Sequence, residues 1–407
     1  MKITNIKCAL MGDNLVLRVM TDKGIDGYSQ IERGIEYEGI LKPLVVYYKN
    51  MIEGCDPTNV EDCLRRMRRL SAFKPWAKVF SSIEMALWDI AGKAAGLPVY
   101  KLLGGKVRDR VRVYNGSFRD PNPPHPVADT PEKRGENILH LNEIPEGFTI
   151  VKTACFWHAK KFYSETDAYN TYYPESFNKG RVMEGSLLTP DALKRSVDYI
   201  ERIKKVVGDR VGLAFDIGPG FTPTDVIRIA KALEPYNLLW LEDSFTGDYT
   251  PYIMAKTYRD ITTSTSTPIH TGEQIFLRQN FMDLIESRAV DVVGPDPADV
   301  GGIAELKWIA EYADLHGILM APHGTFDGVF GMAALTQVCS TLPQNYIAYE
   351  FPGLNPSWWM EIIEGLPGDF LRDGHVKVLD APGLGVRFNE NRASKYLSDA
   401  DKDFFLG

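Results

Sequence analysis

The chain has 407 residues, 44% hydrophobic and 25% charged, with a formal net charge of −8. Such a length and balance suit a globular protein with one large domain and a smaller second one, and exclude a disordered or fibrous chain. The acidic surplus argues against nucleic acid, whose phosphates need a basic surface, though not against a small anion held beside a metal ion; no apolar run approaches the ~18 residues of a membrane-spanning helix.

The opening residues, KITNIKCAL, NLVLRVMT and DGYSQIER, alternate apolar and polar positions and predict antiparallel strands, with TDKG and DG as turns. This start also lacks the basic-then-apolar layout of an export signal. Helices are predicted at about 37–50 and 58–70, then over SSIEMALWDIAGKAAG, which stops at Gly96-Leu97-Pro98. These elements make an α+β domain over residues 1–110.

From Val111 the pattern changes to short apolar runs alternating with helices. The runs are VRVYN (111–115), TIVKTA (149–154), VGLAFD (211–216), LLWLED (238–243), PIHTGE (268–273), VDVVGPD (290–296), ILMAPH (318–323) and YIAYEF (346–351). Helices are predicted between them at 190–207, 223–234, 276–287, 302–316 and 326–340. Eight runs at this spacing predict a parallel βα barrel over 111–379, with the tail, about 380–407, returning to the first domain. Residues 116–129 are Pro-rich loop and 155–187 form a long insert. Both follow strands, so both belong on the face where barrel active sites sit, and the insert is expected to cover the site. His158, Tyr163 and Arg181 are its candidate contacts.

Three acids, Asp216, Glu242 and Glu273, end three successive runs. In a barrel that brings three carboxylates together at the mouth, where they would repel one another unless a hard divalent cation such as Mg²⁺ joined them. The alternative for any single acid is a solvated strand end; three in register favour a metal. The series continues with Asp296, His323 and Glu350. An Asp that fixes a His tautomer leaves the other ring nitrogen free as a base. His316, roughly 20 Å from His323 at the other end of the same strand, reads as structural. His270 reads as core, pointing toward the helices by alternation from Glu273. Lys152 lies inside an apolar run, and its head is expected to reach the negative site. The five cysteines form no CxxC pair, so neither disulfides nor a cysteine–zinc site is expected and a reducing cytoplasm fits. Cys155 reads as a small buried hydrophobe.

Taken together, SSIEMALWDIAGKAAGLPVYKLLGG, LAFDIGPG, WLEDSF, TGEQ, GPDPADVGG, MAPHG and YEF resemble the enolase superfamily, and within it the mandelate racemase/muconate-lactonizing branch. The resemblance covers essentially the whole chain. It implies a modified TIM barrel, (β/α)7β, under an α+β capping domain. It further implies one Mg²⁺ per subunit on Asp216, Glu242 and Glu273, with His323 as base and Asp296 as its orienter. Lys152 and Glu350 would contact the substrate carboxylate, the usual partnership of a Lys or His base with Mg²⁺. One departure bears on the reaction. The racemase-type second strand carries K-x-K, and here VKTAC leaves Ala154 in place of the second lysine. Gly218 also stands where many sugar-acid enzymes carry Asn or His.

Inversion at a carbon by this route needs a base on each face, whereas elimination needs only one. The expected reaction is therefore dehydration of an aldonic or aldaric acid to a 2-keto-3-deoxy acid. Racemisation, epimerisation or cycloisomerisation are the alternatives within the fold. A catalytically degenerate, ligand-binding regulator is the alternative outside enzymology, and a phosphate-binding barrel resting on Gly301-Gly302 is weaker still. The expected partners are a small carboxylate substrate and further copies of the chain in a homo-oligomer.

Overall fold

The structure, a computed structural model, describes residues 1–33, 38–68, 77–116, 122–154, 188, 190–218, 221–245, 254–324, 328–351 and 358–407. The 155–187 insert, with Cys155, His158, Tyr163 and Arg181, lies outside the described residues.

Strands β1 (Ile3–Met11), β2 (Asn14–Thr21) and β3 (Gly27–Arg33) form an antiparallel meander. One face of it, with Ile6, Leu15, Leu17 and Ile31, packs on helices α1 (Glu38–Ile52), α2 (Val60–Arg68) and α3 (Ala77–Ala95). The C-terminal residues close this domain. Leu10 N–H donates to Asp401 (2.8 Å), Gly12 N–H to the Tyr396 carbonyl (2.9 Å), and Ser398 N–H to that of Leu10 (2.9 Å). Lys42 pairs with Asp401 at 2.7 Å, and Arg18 donates to the Phe404 carbonyl at 2.9 Å.

The barrel strands are β4 (Arg110–Asn115), β5 (Ile150–Ala154), β6 (Gly212–Asp216), β7 (Trp240–Glu242), β8 (Ile269–Thr271), β9 (Val292–Val293), β10 (Leu319–Met320) and β11 (Tyr349–Phe351). Each pairs in parallel with the next from β4 to β10, and β11 pairs with β4. The circle closes through Met320, bridged to Tyr346, and through Ile347 N–H on the Met320 carbonyl (2.8 Å). Helices α4 (Pro131–Glu143), α5 (Pro190–Val207), α6 (Pro223–Leu233), α7 (Ala255–Thr262), α8 (Gln279–Glu286), α9 (Ile303–Leu315) and α10 (Gly328–Cys339) connect the strands in order. This is (β/α)7β. Tyr114, Ile150, Ala214, Trp240, Val292, Ala321 and Ala348 fill the axis. The Tyr114 and Trp240 rings meet edge to face, centroids 5.4 Å apart, and the alanines make room for them.

Helices α4 and α7 are absent from the sequence expectation. α4 has an ordinary start, with Thr130 Oγ1 accepting from Lys133 N–H and Pro131 in the first turn. Its interior Gly135 masks the helix signal. That glycine lets α4 approach α5, since a Cβ there would lie 2.7 Å from Val206 Cβ. α7 has only eight residues and a mostly polar sequence. Among the described residues no helix is long and apolar enough to cross a membrane.

Candidate active site

Residues alternate in and out along a barrel strand, so the register sorts the inward ones into layers. Lys152, Ala214 and Trp240 face one another across β5, β6 and β7. One layer closer to the mouth, Asp216, Glu242 and His270 face one another across β6, β7 and β8. The Lys152 side chain therefore starts beneath the carboxylates and reaches up to them. Its Nζ donates to Glu242 Oε1 and to Glu350 Oε2, the latter at 2.9 Å. Glu350 stands beside Tyr114 in register, and the Tyr114 hydroxyl donates to the same Oε2 at 3.1 Å. Trp240 Nε1–H donates to Glu242 Oε2 at 2.8 Å. All five side chains are buried. Burial works against the Lys152 ammonium, but Glu242 and Glu350 outweigh it and hold its pKa well above that of a free lysine.

His323 and Asp296 meet as expected. Nδ1 lies 2.5 Å from Asp296 Oδ2, and Asp296 Oδ1 accepts from the Ala298 N–H at 2.7 Å. The other ring nitrogen, Nε2, faces Glu273 Oε2 at 3.2 Å and Glu350 Oε2 at 3.5 Å. Burial disfavours the imidazolium, yet Glu273, Glu350 and Asp296 more than compensate and raise its pKa well above the usual histidine value. Glu350 Oε2 thus sits between the Lys152 ammonium and the His323 ring, which places all three around one small volume.

Glu242, Asp243 and Glu273 each offer a carboxylate oxygen within 4.8 Å of the others. Three hard oxygen donors at that spacing fit a divalent cation such as Mg²⁺. Glu242 and Glu273 belong to the expected set. Asp216, the third expected ligand, lies outside this tight group. It stands next to Glu242 in register, partly exposed, with Oδ1 accepting from Gly218 N–H at 2.7 Å. Asp243 was not anticipated: alternation aims it away from the axis, but its φ of 49° breaks the pleat directly after β7. Thr271 donates to its Oδ1 at 2.9 Å.

His270 differs from expectation in direction. It points into the barrel, stacked on Trp240 with centroids 5.4 Å apart, and its Nδ1 lies 3.4 Å from Glu242 Oε2. Alternation counted back from Glu273 fails because β8 stops at Thr271 and Gly272, at φ 136°, turns the chain before Glu273. Burial lowers the His270 pKa and so favours the neutral ring. His316 follows α9, bonded through Nδ1 to the Tyr312 carbonyl at 2.9 Å, and is structural. Tyr114 and Trp240 read in the sequence as apolar strand residues; the signal in each is the polar handle that a buried aromatic must satisfy.

A family model described as "Enolase C-terminal domain-like" matches residues 142–392. A second, "Mandelate racemase / muconate lactonizing enzyme, N-terminal domain", matches residues 9–104. A D-xylonate dehydratase of Haloferax volcanii is 28% identical over 99% of this chain and 90% of that protein. A D-galactonate dehydratase family member of Musicola paradisiaca is 28% identical over 98% of this chain and 95% of that protein. A mandelate racemase/muconate lactonizing enzyme-like protein of Rubrobacter xylanophilus, solved by crystallography, is 28% identical with a TM-score of 0.82, covering 98% of each chain. By these matches and by its capped (β/α)7β barrel, the chain belongs to the mandelate racemase/muconate-lactonizing branch of the enolase superfamily.

Proposed function

We propose that the chain is a Mg²⁺-dependent dehydratase of a sugar acid, an aldonate or aldarate, yielding a 2-keto-3-deoxy acid. The observation that carries this reading is the orientation of His323: Asp296 holds Nδ1, and Nε2 faces the volume between Glu273 and Glu350. The relatives named above as dehydratases support it. In its neutral form, with Nε2 unprotonated, His323 removes the proton next to the substrate carboxylate and becomes the imidazolium. It then returns that proton to the departing β-hydroxyl, which leaves as water. One residue serves as base and acid, so the lysine missing at Ala154 is not required. Lys152 and Glu350 bind the substrate carboxylate, the lysine by its charge and the glutamate as a hydrogen-bond partner.

The cation is proposed to rest on Asp216, Glu242 and Glu273, with Asp243 as the competing third ligand suggested by its proximity. When bound, it supplies the Lewis-acid charge that stabilises negative charge building up on the substrate carboxylate. The four described cysteines are free, which favours work in a reducing cytoplasm. The test is a panel of sugar acids with Mg²⁺ in heavy water, followed by proton NMR. A new C3 methylene carrying deuterium supports dehydration. Deuterium at C2 with the hydroxyl retained and the configuration inverted would make the enzyme an epimerase.

A further inference from the structure

The capping domain grips the segment that carries Asp296. Along one face of α3, Lys78, Ser81, Glu84 and Trp88 recur at helical spacing. Lys78 pairs with Asp299 at 2.8 Å. Ser81 Oγ accepts from Gly301 N–H at 3.0 Å. The Glu84 carboxylate accepts from Ile303 N–H (2.9 Å) and Ala304 N–H (3.0 Å), the first turn of α9, and from Trp88 Nε1–H (2.7 Å). Glu84 has no exposed surface. The fit extends to the backbone: Gly302 has φ 102°, and a Cβ there would lie 2.0 Å from Glu84 Oε2.

The gripped segment is continuous with Asp296, the partner of His323. The Asp296 carbonyl accepts from Asp299 N–H (3.0 Å) and Val300 N–H (2.7 Å), and Gly302 N–H donates to the Pro297 carbonyl (3.1 Å). Residues 296–302 are therefore one hydrogen-bonded turn, with Asp296 at one end and the contacts of α3 at the other. A shift of α9 relative to α3 would carry Asp296 with it, and its 2.5 Å bond to His323 Nδ1 leaves little slack.

We propose that Glu84 is a positioning residue: through the N-terminus of α9 and the 296–302 turn it sets Asp296, and hence the orientation of His323. The capping domain then does more than cover the barrel, since it holds part of the proton-transfer apparatus in place. The kinetic consequence rests on the dehydratase reading, whereas the geometric one does not.

The test uses the full chain labelled with ¹⁵N-histidine. A proton shared over so short a His–Asp bond resonates far downfield, and its loss in His323→Asn assigns it. Two variants loosen the grip, Glu84→Leu by removing both acceptor oxygens and Ser81→Ala by a milder route that survives if the first does not fold. Val45→Ala is the control, because Val45 is buried in the capping domain's own core and makes no part of the grip. In the loosened variants the downfield resonance should vanish or move, and in the control it should stay. With a turned-over acid, kcat should fall while KM holds, since a misplacement of about 1 Å can cost on the order of 10²-fold. An unmoved resonance in Ser81→Ala and in folded Glu84→Leu, or an equal change in Val45→Ala, would overturn the proposal. The resonance needs no substrate, so failure of the dehydratase reading leaves this outcome legible.

Discussion

Lys152→Met keeps the length of the side chain and removes its charge. The ammonium is the cation shared by Glu242 and Glu350, both without exposed surface. Breaking a buried ion group by removing one partner leaves uncompensated charge and costs about 3–5 kcal/mol. The Trp240 and Tyr114 donors remain on the two carboxylates, but neutral hydrogen bonds cannot replace a positive charge. Spread over the unfolding entropy of 407 residues, the loss is a fall in Tm of roughly 4–6 °C. The sign with pH follows from the charges. In the parent protein the lysine's raised pKa stabilises the fold throughout the neutral range and loses that effect only in strong alkali. The variant has no such group, so the deficit should hold through the neutral range and shrink only in strong alkali, where the parent's lysine loses its charge. Thermal unfolding followed by circular dichroism, with chelator present, measures both. Added Mg²⁺ should raise the Tm of the variant more than that of the parent, because Glu242 no longer has a resident cation. Equal Tm values near neutral pH would refute the reasoning that Lys152 neutralises these two carboxylates.

His323→Asn should abolish exchange of the substrate's α-proton in heavy water while calorimetry still shows metal binding; persisting exchange would move the base to Lys152. Asp216→Asn should weaken Mg²⁺ binding and stop turnover, with Asp243→Asn weakening it less; the reverse order in titration calorimetry would transfer the third ligand to Asp243. Burial pushes the Glu84 carboxyl up to about 8 against the pull of its N–H donors, so its stabilising contribution is complete in acid and is lost as pH rises through about 8. Glu84→Gln carries no such group, and the Tm of the parent relative to this variant should fall as pH rises from about 5 to about 9; parallel Tm profiles would contradict the assignment.

The barrel was readable because its strands are buried on both sides and appear as short, largely apolar runs, six of which carry an acid or a histidine at or beside the C-terminal end. Its helices were less evident where a local choice served packing. Gly135 weakens the pattern of α4 because its missing side chain is what α5 needs. At the site, residues obeying strand alternation point where alternation says, as with Lys152 and Glu350, which meet inside the barrel. Those just past a strand end were not governed by it: Glu273 follows a glycine turn, and Asp243 has left-handed backbone. A positive φ at an aspartate is set by tertiary contacts and leaves no periodic trace. The α3 grip was equally hidden, because its acceptors and the amides they bind are some 220 residues apart.

The seam between the first two strands of the cap and residues 396–404 has a consequence for how the protein is made. Ribosomes release a chain in order, and domains made first ordinarily fold first. Here β1 and β2 precede every barrel strand, yet Leu10, Gly12 and Arg18 find their partners in Tyr396, Asp401 and Phe404, beyond the barrel. The capping domain must therefore wait, incomplete, while the whole barrel is synthesised, and it is sealed only when residues 396–404 follow. Contacts this distant in sequence form late and slowly, so the nascent cap keeps one edge bare while the barrel is made.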